Sequence, residues 1–409
     1  MKIIVVGGGA AGMIAAWRAG SLGHRVTLLE ANARLGVKLR ISGGGKCNIT
    51  HDGPVKAVLA AFPREQARFL RPSLHRFTND QVLELLHREG VETYTRDNGR
   101  VFPLDRPGSA AAVVAAFEAL VRGAGVEVRC GARVTGLEGS APRLEGVRMG
   151  NEVLRADLVI LATGGASYPE TGTRGEVLGW LKALGVPVSP WFPALAPIPL
   201  QRPRPEWEGV ALRDGDLLLT AGKGGRRLAR FQGDVLFTRM GITGPAALEL
   251  SRPAEAARRE GAAWLAYAST ATPPEQLDAQ AQAEQRSNPQ LKAVHWLQRF
   301  LPERLCAPLL AEAGLDPGLR MKDLPREGRV ALVGFATALP LAEPRPVPLE
   351  RGEVAAGGVV LTAVDPHTLA LKGWENLRVC GELLDVDGPV GGYNLQAAFS
   401  TGFVAGDLP

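Results

Sequence analysis

The string Gly7-Gly8-Gly9-Ala10-Ala11-Gly12 lies between an apolar run over residues 2–6 and an amphipathic segment over 10–22. That placement constrains the fold more than any other feature of the chain. A strand that turns on Gly7, presents bare backbone at Gly9 and packs a helix closely at Gly12 is the opening unit of a dinucleotide-binding sheet. The helix start offers unpaired N–H groups to a pyrophosphate, with Ala10 and Ala11 in its first turn. Glu30 closes a second strand over 25–30, about 20 residues on, where a carboxylate accepts hydrogen bonds from a ribose hydroxyl. In a chain with 50 glycines the hexapeptide alone says little; the strand, turn, helix and acidic residue together carry the reading.

At 409 residues the chain exceeds the size at which one core stops growing. Strand and helix patterns alternate through the first third, with helices at 64–72, 79–89 (Asn79 as N-cap) and 108–123, a hairpin around Asp97-Asn98-Gly99, and strands near 126–137 and 157–162. Past Pro190 prolines crowd 187–205, short strands with glycine turns follow, and a polar helical stretch runs over about 273–328. Strand and helix signals return from Gly357 to the closing segment that starts at Tyr393. The expected fold class is α/β: a Rossmann-like domain of residues 1–189 and 352–409, built from both chain ends. An inserted domain of residues 190–351 carries a β-barrel-like part and a small helical subdomain.

Four scattered cysteines (Cys47, Cys130, Cys306, Cys380) form no C-x-x-C and no metal-like cluster, which excludes a flavin–dithiol pair and predicts a cytoplasmic setting. No apolar run approaches the ~20 residues of a membrane span. The formal charge of +5 permits an anionic partner without requiring one.

Further glycine turns mark the rest of the expected site. Ser42-Gly43-Gly44-Gly45-Lys46-Cys47-Asn48 fails the phosphate-loop spacing, because Cys47 stands where Ser or Thr is required. It fits instead a backbone that passes close to a flat ring, with Asn48 bonding a polar edge. A buried strand ends in Ala162-Thr163-Gly164, another in Gly381-Glu382, and Gly392 precedes the last helix with Tyr393, Asn394 and Leu395 in its first turn. Lys38 and Val134 complete the cofactor-binding set. Two groups are candidates for proton transfer: Cys47, as donor to a carbon, and His51, as a relay.

These strings, with Gly99-Arg100-Val101-Phe102-Pro103, Ser167-Tyr168-Pro169-Glu170-Thr171-Gly172, Phe237-Thr238 and Gly392-Tyr393-Asn394-Leu395-Gln396, make a pattern that spans nearly the whole chain. It resembles the BaiN-like (aminoacetone-oxidase-type) bacterial NAD(P)/FAD-dependent oxidoreductases, which are two-dinucleotide-binding-domain flavoproteins. The resemblance implies FAD as cofactor and reduction of a C=C bond in an enone-like small molecule or a uracil of ribosomal RNA. A small-amine oxidase and a non-catalytic flavin-binding, RNA-associated protein are the alternatives. It carries over no catalytic residue at Arg239, which stands where the family usually has His. No second dinucleotide fingerprint occurs, so NADH or NADPH would serve as a transient electron donor. Lys223, Arg226, Arg227 and Arg230 around a glycine turn are the expected contacts to RNA phosphates.

Overall fold

In a computed structural model, residues 1–104, 108–261 and 263–409 are described; they divide into two compact units. The first comprises residues 1–192 and 349–409 and the second residues 193–348, where the sequence reading put the breaks at 189/190 and 351/352.

The first unit is organised by a five-stranded parallel sheet in the order Leu377–Val379, Leu158–Leu161, Lys2–Val6, Arg25–Glu30, Glu127–Cys130. Ile3, Val5, Leu28, Val159, Ile160 and Leu161 are wholly buried, as expected of strands covered on both faces. The register aligns Val6 with Leu29 and with Leu161, and Leu161 with Val379. The turns that follow these four strands therefore share the carboxyl edge of the sheet, the edge at which open α/β sheets bind ligands. Two chain ends meet behind that edge. Glycines at 402 and 406 of the closing helix Tyr393–Gly406 bring it against the backbone of the first helix, Ala10–Ser21; a Cβ at either position would collide with the carbonyl of Ala11 or Ala15. Asp407, just past the closing helix, pairs with Arg18 at 2.7 Å.

The smaller elements of this unit follow their local sequence. Thr93–Thr95 and Arg100–Pro103 form the expected hairpin, and Thr50–His51 joins the latter as a third strand. The expected N-cap moves by one residue. Thr78 caps the helix Asn79–Arg88 in a box with Gln81, because a hydroxyl one position earlier reaches the third helical N–H. Asn79 instead donates to the carbonyls of His51 and Gly53 (3.2 and 2.9 Å).

The second unit has its own core around Trp207, Tyr267 and Trp296. Its strands form two four-stranded antiparallel sheets, ordered Ile198–Pro199, Gly241–Thr243, Val235–Thr238, Ala211–Leu212 and Arg227–Gln232, Asp216–Thr220, Trp264–Ala268, Leu339–Ala342. Helices Pro274–Ser287, Ala293–Leu297, Glu303–Glu312 and Arg326–Ala338 make its helical part. Among the described residues no helix is long and apolar enough to cross a membrane.

Candidate functional site

The first turn is shaped by close approach of backbone. Gly7 adopts φ 104°, donates to the Leu29 carbonyl at 2.8 Å, and a Cβ there would collide with the carbonyl of Ala162. A Cβ on Gly12 would collide with the carbonyl of Gly7, whereas one on Gly9 would meet nothing within 4 Å. Strand, turn and helix are thus locked together while the open side of the turn faces free space. The helix start has no side-chain cap and no acidic residue in its first turn, so its N–H groups and positive dipole end remain available to an anion.

Glu30 is buried at the end of its strand, 8% exposed. One carboxylate oxygen accepts from Gly8 N and the other from Asn32 N and Nδ2, all at 2.7 Å. An ionised carboxylate has about four lone-pair sites, so one remains for a ribose hydroxyl. Asn32, which the sequence reading missed, also donates to the Thr171 carbonyl at 2.9 Å, and Gly172 leaves room for its amide. Val134 lies buried in the segment after Ala132, whose N–H bonds the Glu30 carbonyl at 2.8 Å. Ala162 continues its strand by bonding Val6 O at 2.9 Å, and Gly164 turns at φ 74°. Between them, the buried Thr163 hydroxyl has no partner.

Lys38 and Glu382, 344 residues apart, are joined in a polar knot. Lys38 Nζ lies 2.8 and 3.0 Å from the two Glu382 oxygens and donates to Ser167 Oγ at 2.6 Å. Glu382 also accepts from Ala355 N at 2.9 Å and from Gly165 N at 3.4 Å. Gly381 (φ 70°) starts this turn, held by the Thr401 hydroxyl at 3.0 Å.

The second glycine loop meets the closing helix. Ser42 Oγ donates to the Leu39 carbonyl, and Gly43, Gly44, Gly45 and Cys47 all have φ between 56° and 84°. In the orientation that satisfies its amide, Asn48 accepts from Gly392 N at 3.0 Å and donates to Thr50 O and Val101 O at 3.2 and 3.3 Å. Its amide therefore ties strand to loop and is not free for a ligand edge. Gly392 (φ 91°) has no room for a Cβ against the Thr50 carbonyl. Tyr393 stacks on His51 with ring centroids 4.6 Å apart, and Asn394 closes its own loop through Gly388 N and O, both at 2.8 Å. Leu395 packs, half-buried, on the core.

Neither sequence candidate for proton transfer is well placed for it. Cys47 is 0% exposed, and burial pushes its thiol up to about 12 against a hydrogen bond with Ser42. A thiol so placed supplies packing rather than a proton or a nucleophile. His51 directs Nδ1 at the Asp52 carbonyl (2.8 Å) and Nε2 at the Asn98 carbonyl (3.1 Å), so both ring nitrogens face backbone acceptors. It props the Tyr393 ring. Among the described residues no cluster of His, Cys, Asp or Glu could hold a metal ion.

The residues present fit FAD. An open glycine turn, an unpartnered hydroxyl at Thr163 and a buried acid with one free acceptor site line the edge where its adenosine diphosphate half binds. Sheet and site together define a Rossmann-type FAD-dependent oxidoreductase. The chain belongs to the HI0933-like family: the family model described as the HI0933-like protein Rossmann domain matches residues 1–408. It is 29% identical to a 3-dehydro-bile acid delta(4,6)-reductase of Clostridium scindens, across 99% of this chain and 98% of that protein. It is 28% identical to a ribosomal RNA dihydrouridine synthase of Escherichia coli, across 97% and 95%. The 3-ketosteroid delta1-dehydrogenase of Sterolibacterium denitrificans shares the fold, with TM-score 0.51, 15% identity and coverage of 99% and 98%.

Proposed function

We propose that this protein is a reductase of C=C bonds conjugated to a carbonyl, in an enone-like small molecule or a uracil of ribosomal RNA. One observation carries the reading. Two relatives matched over almost their entire length are named for saturating a C=C bond, one in a bile acid and one in a uridine. An enone and the C5=C6 bond of uracil are the same electrophile in different frames, so one site chemistry serves both.

FAD supplies the hydride when it is bound. The protein's part is to hold it: Gly7, Gly9, Gly12 and the first helix at the pyrophosphate, Glu30 at the ribose, and Thr163 and Gly164 along the sheet edge. The knot of Lys38, Ser167 and Glu382 fixes the turns of both chain ends around the reacting half. A transient NADH or NADPH donor and a cytoplasmic setting belong to this proposal; the four free, dispersed cysteines support the latter.

The RNA branch draws on fewer basic groups than the sequence suggested. Arg230 pairs with Asp216 at 2.8 Å and Lys223 lies over the Trp264 ring at 5.8 Å, which leaves Arg226 and Arg227 as the phosphate contacts. Anaerobic mixing tests the whole reading. NADH or NADPH should bleach the bound flavin, and a 3-oxo-Δ4 bile acid or a uridine-containing ribosomal RNA fragment should restore its colour. Bleaching by small amines, with no response to either acceptor, would instead identify an amine oxidase.

A further inference from the structure

One acid of the first unit stands apart from the knot just described. Glu353 is exposed, at the foot of the strand Val354–Val359, in which all six residues are buried. Two residues on, Ala355 N is tied to Glu382. Three residues earlier, the Glu350 carbonyl accepts from Tyr168 N at 3.3 Å. The segment is thus bracketed by the Lys38–Glu382 knot on one side and the 167–172 turn on the other. Among the described residues Glu353 forms no ion pair and no side-chain hydrogen bond, although Lys38 and Arg100 lie close enough to act on its charge. Enough protein surrounds it for desolvation to push its carboxyl up, against the pull of those two cations. An acid that water reaches, yet that desolvation dominates, lines a concavity rather than a convex surface.

The neighbouring residue is held with equal care. Tyr168 adopts φ 53°, a left-handed conformation costly for an aromatic residue, and Thr171 N and Oγ1 pin its carbonyl at 2.8 and 2.7 Å. Burial first, then the charges of Glu353 and Glu170, push its phenol up, so it faces Glu353 as a neutral hydroxyl.

We propose that Glu353 is the proton donor of the reaction, resting on the reading of the protein as a C=C reductase. Saturation takes two electrons and two hydrogens. A hydride from the reduced cofactor adds to the carbon remote from the carbonyl, the π pair shifts to the adjacent carbon, and that carbon takes the proton of the Glu353 carboxyl. The carboxylate left behind is stabilised by Lys38 and Arg100 and is reprotonated from water; a dihydronicotinamide restores the cofactor. Lys38 with its partner Glu382, Arg100 and Tyr168 are the charged or titratable groups facing Glu353. Desolvation outweighs the cations, so its acid form persists to higher pH than an ordinary carboxyl's.

The test separates the two half-reactions in the FAD-loaded protein. Glu353→Gln should keep its FAD content, its melting temperature and its rate of bleaching by NADPH. Reoxidation by a 3-oxo-Δ4 bile acid, or by a uridine-containing ribosomal RNA fragment, should slow by about 100-fold or more. Glu353→Asp should recover part of that rate. In the wild type this step should slow as pH rises through the raised pKa of Glu353, and the Gln variant should lose that dependence. Reoxidation of Glu353→Gln within threefold of wild type overturns the assignment, as does a 100-fold loss in Tyr168→Phe with none in Glu353→Gln. If the wild type itself is reoxidised by neither acceptor, the reductase reading falls, and this assignment with it.

Discussion

Two glycine-rich turns, at 7–12 and at 42–47, look alike in sequence but do different physical work. In the first, Gly7 and Gly12 are required because backbone lies where a Cβ would stand, and only Gly9 opens onto free space. In the second, a Cβ on Gly44 or Gly45 would meet nothing within 4 Å; what requires glycine there is the left-handed backbone. The first turn therefore encodes close packing around a bound anion. The second encodes a chain reversal with an open face, suited to something flat lying beside it. Substitutions should tell the two apart, because a steric collision cannot relax whereas a strained dihedral costs only about 1–2 kcal/mol.

The largest effect should come from removing the element that backs the first turn. Truncation before Gly381 deletes Glu382 and the closing helix whose glycines contact Ala11 and Ala15. Such a chain should retain no FAD despite an intact fingerprint. Flavin content after gel filtration decides it, and a fragment of residues 1–189 that holds FAD normally would break the discontinuous domain. Next in size is Gly12→Ala, whose methyl meets the Gly7 carbonyl head-on. It should lower stability by roughly 3 kcal/mol, as overpacking does, and abolish FAD retention. Gly44→Ala should cost about 1 kcal/mol and leave FAD bound, with any loss confined to the rate at which substrate reoxidises the flavin. Equal FAD loss in both variants would erase the distinction between the turns.

Glu30 lies between these extremes. Its carboxylate serves Gly8 and Asn32 as well as any ribose, so Glu30→Ala should weaken FAD retention more than tenfold and also lower the melting temperature. A binding loss without a stability loss would mean that those hydrogen bonds matter little outside the complex.

What could be read in the sequence follows the same division. The parallel sheet and first turn were legible because 2–30 encodes strand, turn, helix and strand locally, with no distant partner needed. The helix Asn79–Arg88 was legible too, and its cap slipped by one because Thr78 and Asn79 are both good caps and only geometry chooses between them. The knot around Lys38 was visible only as separate residues. Its members are 344 positions apart, and nothing local to Ser167 or Ala355 announces an ion pair. Asn32 and Glu353 carry no motif at all. Conversely, Cys47 and His51 drew attention as reactive side-chain types, and burial and carbonyl contacts occupied them otherwise.

The smallest expected effect probes the second turn from inside. Cys47, Cys306 and Cys380 are buried, and burial pushes each thiol up to about 12; Cys130 is exposed, with its thiol raised as well. Reaction with a disulfide reagent requires thiolate and access together. At pH 8 the native protein should therefore release one equivalent slowly, from Cys130, and four after denaturation. Cys130→Ser should remove the native equivalent. Cys47→Ala should leave FAD content and both half-reactions within about twofold of wild type, since the thiol contributes only packing there. If Cys47 instead labels in the native state at a rate set by loop opening, the 42–47 turn is not the closed reversal described above, and the thiol returns as a candidate proton donor.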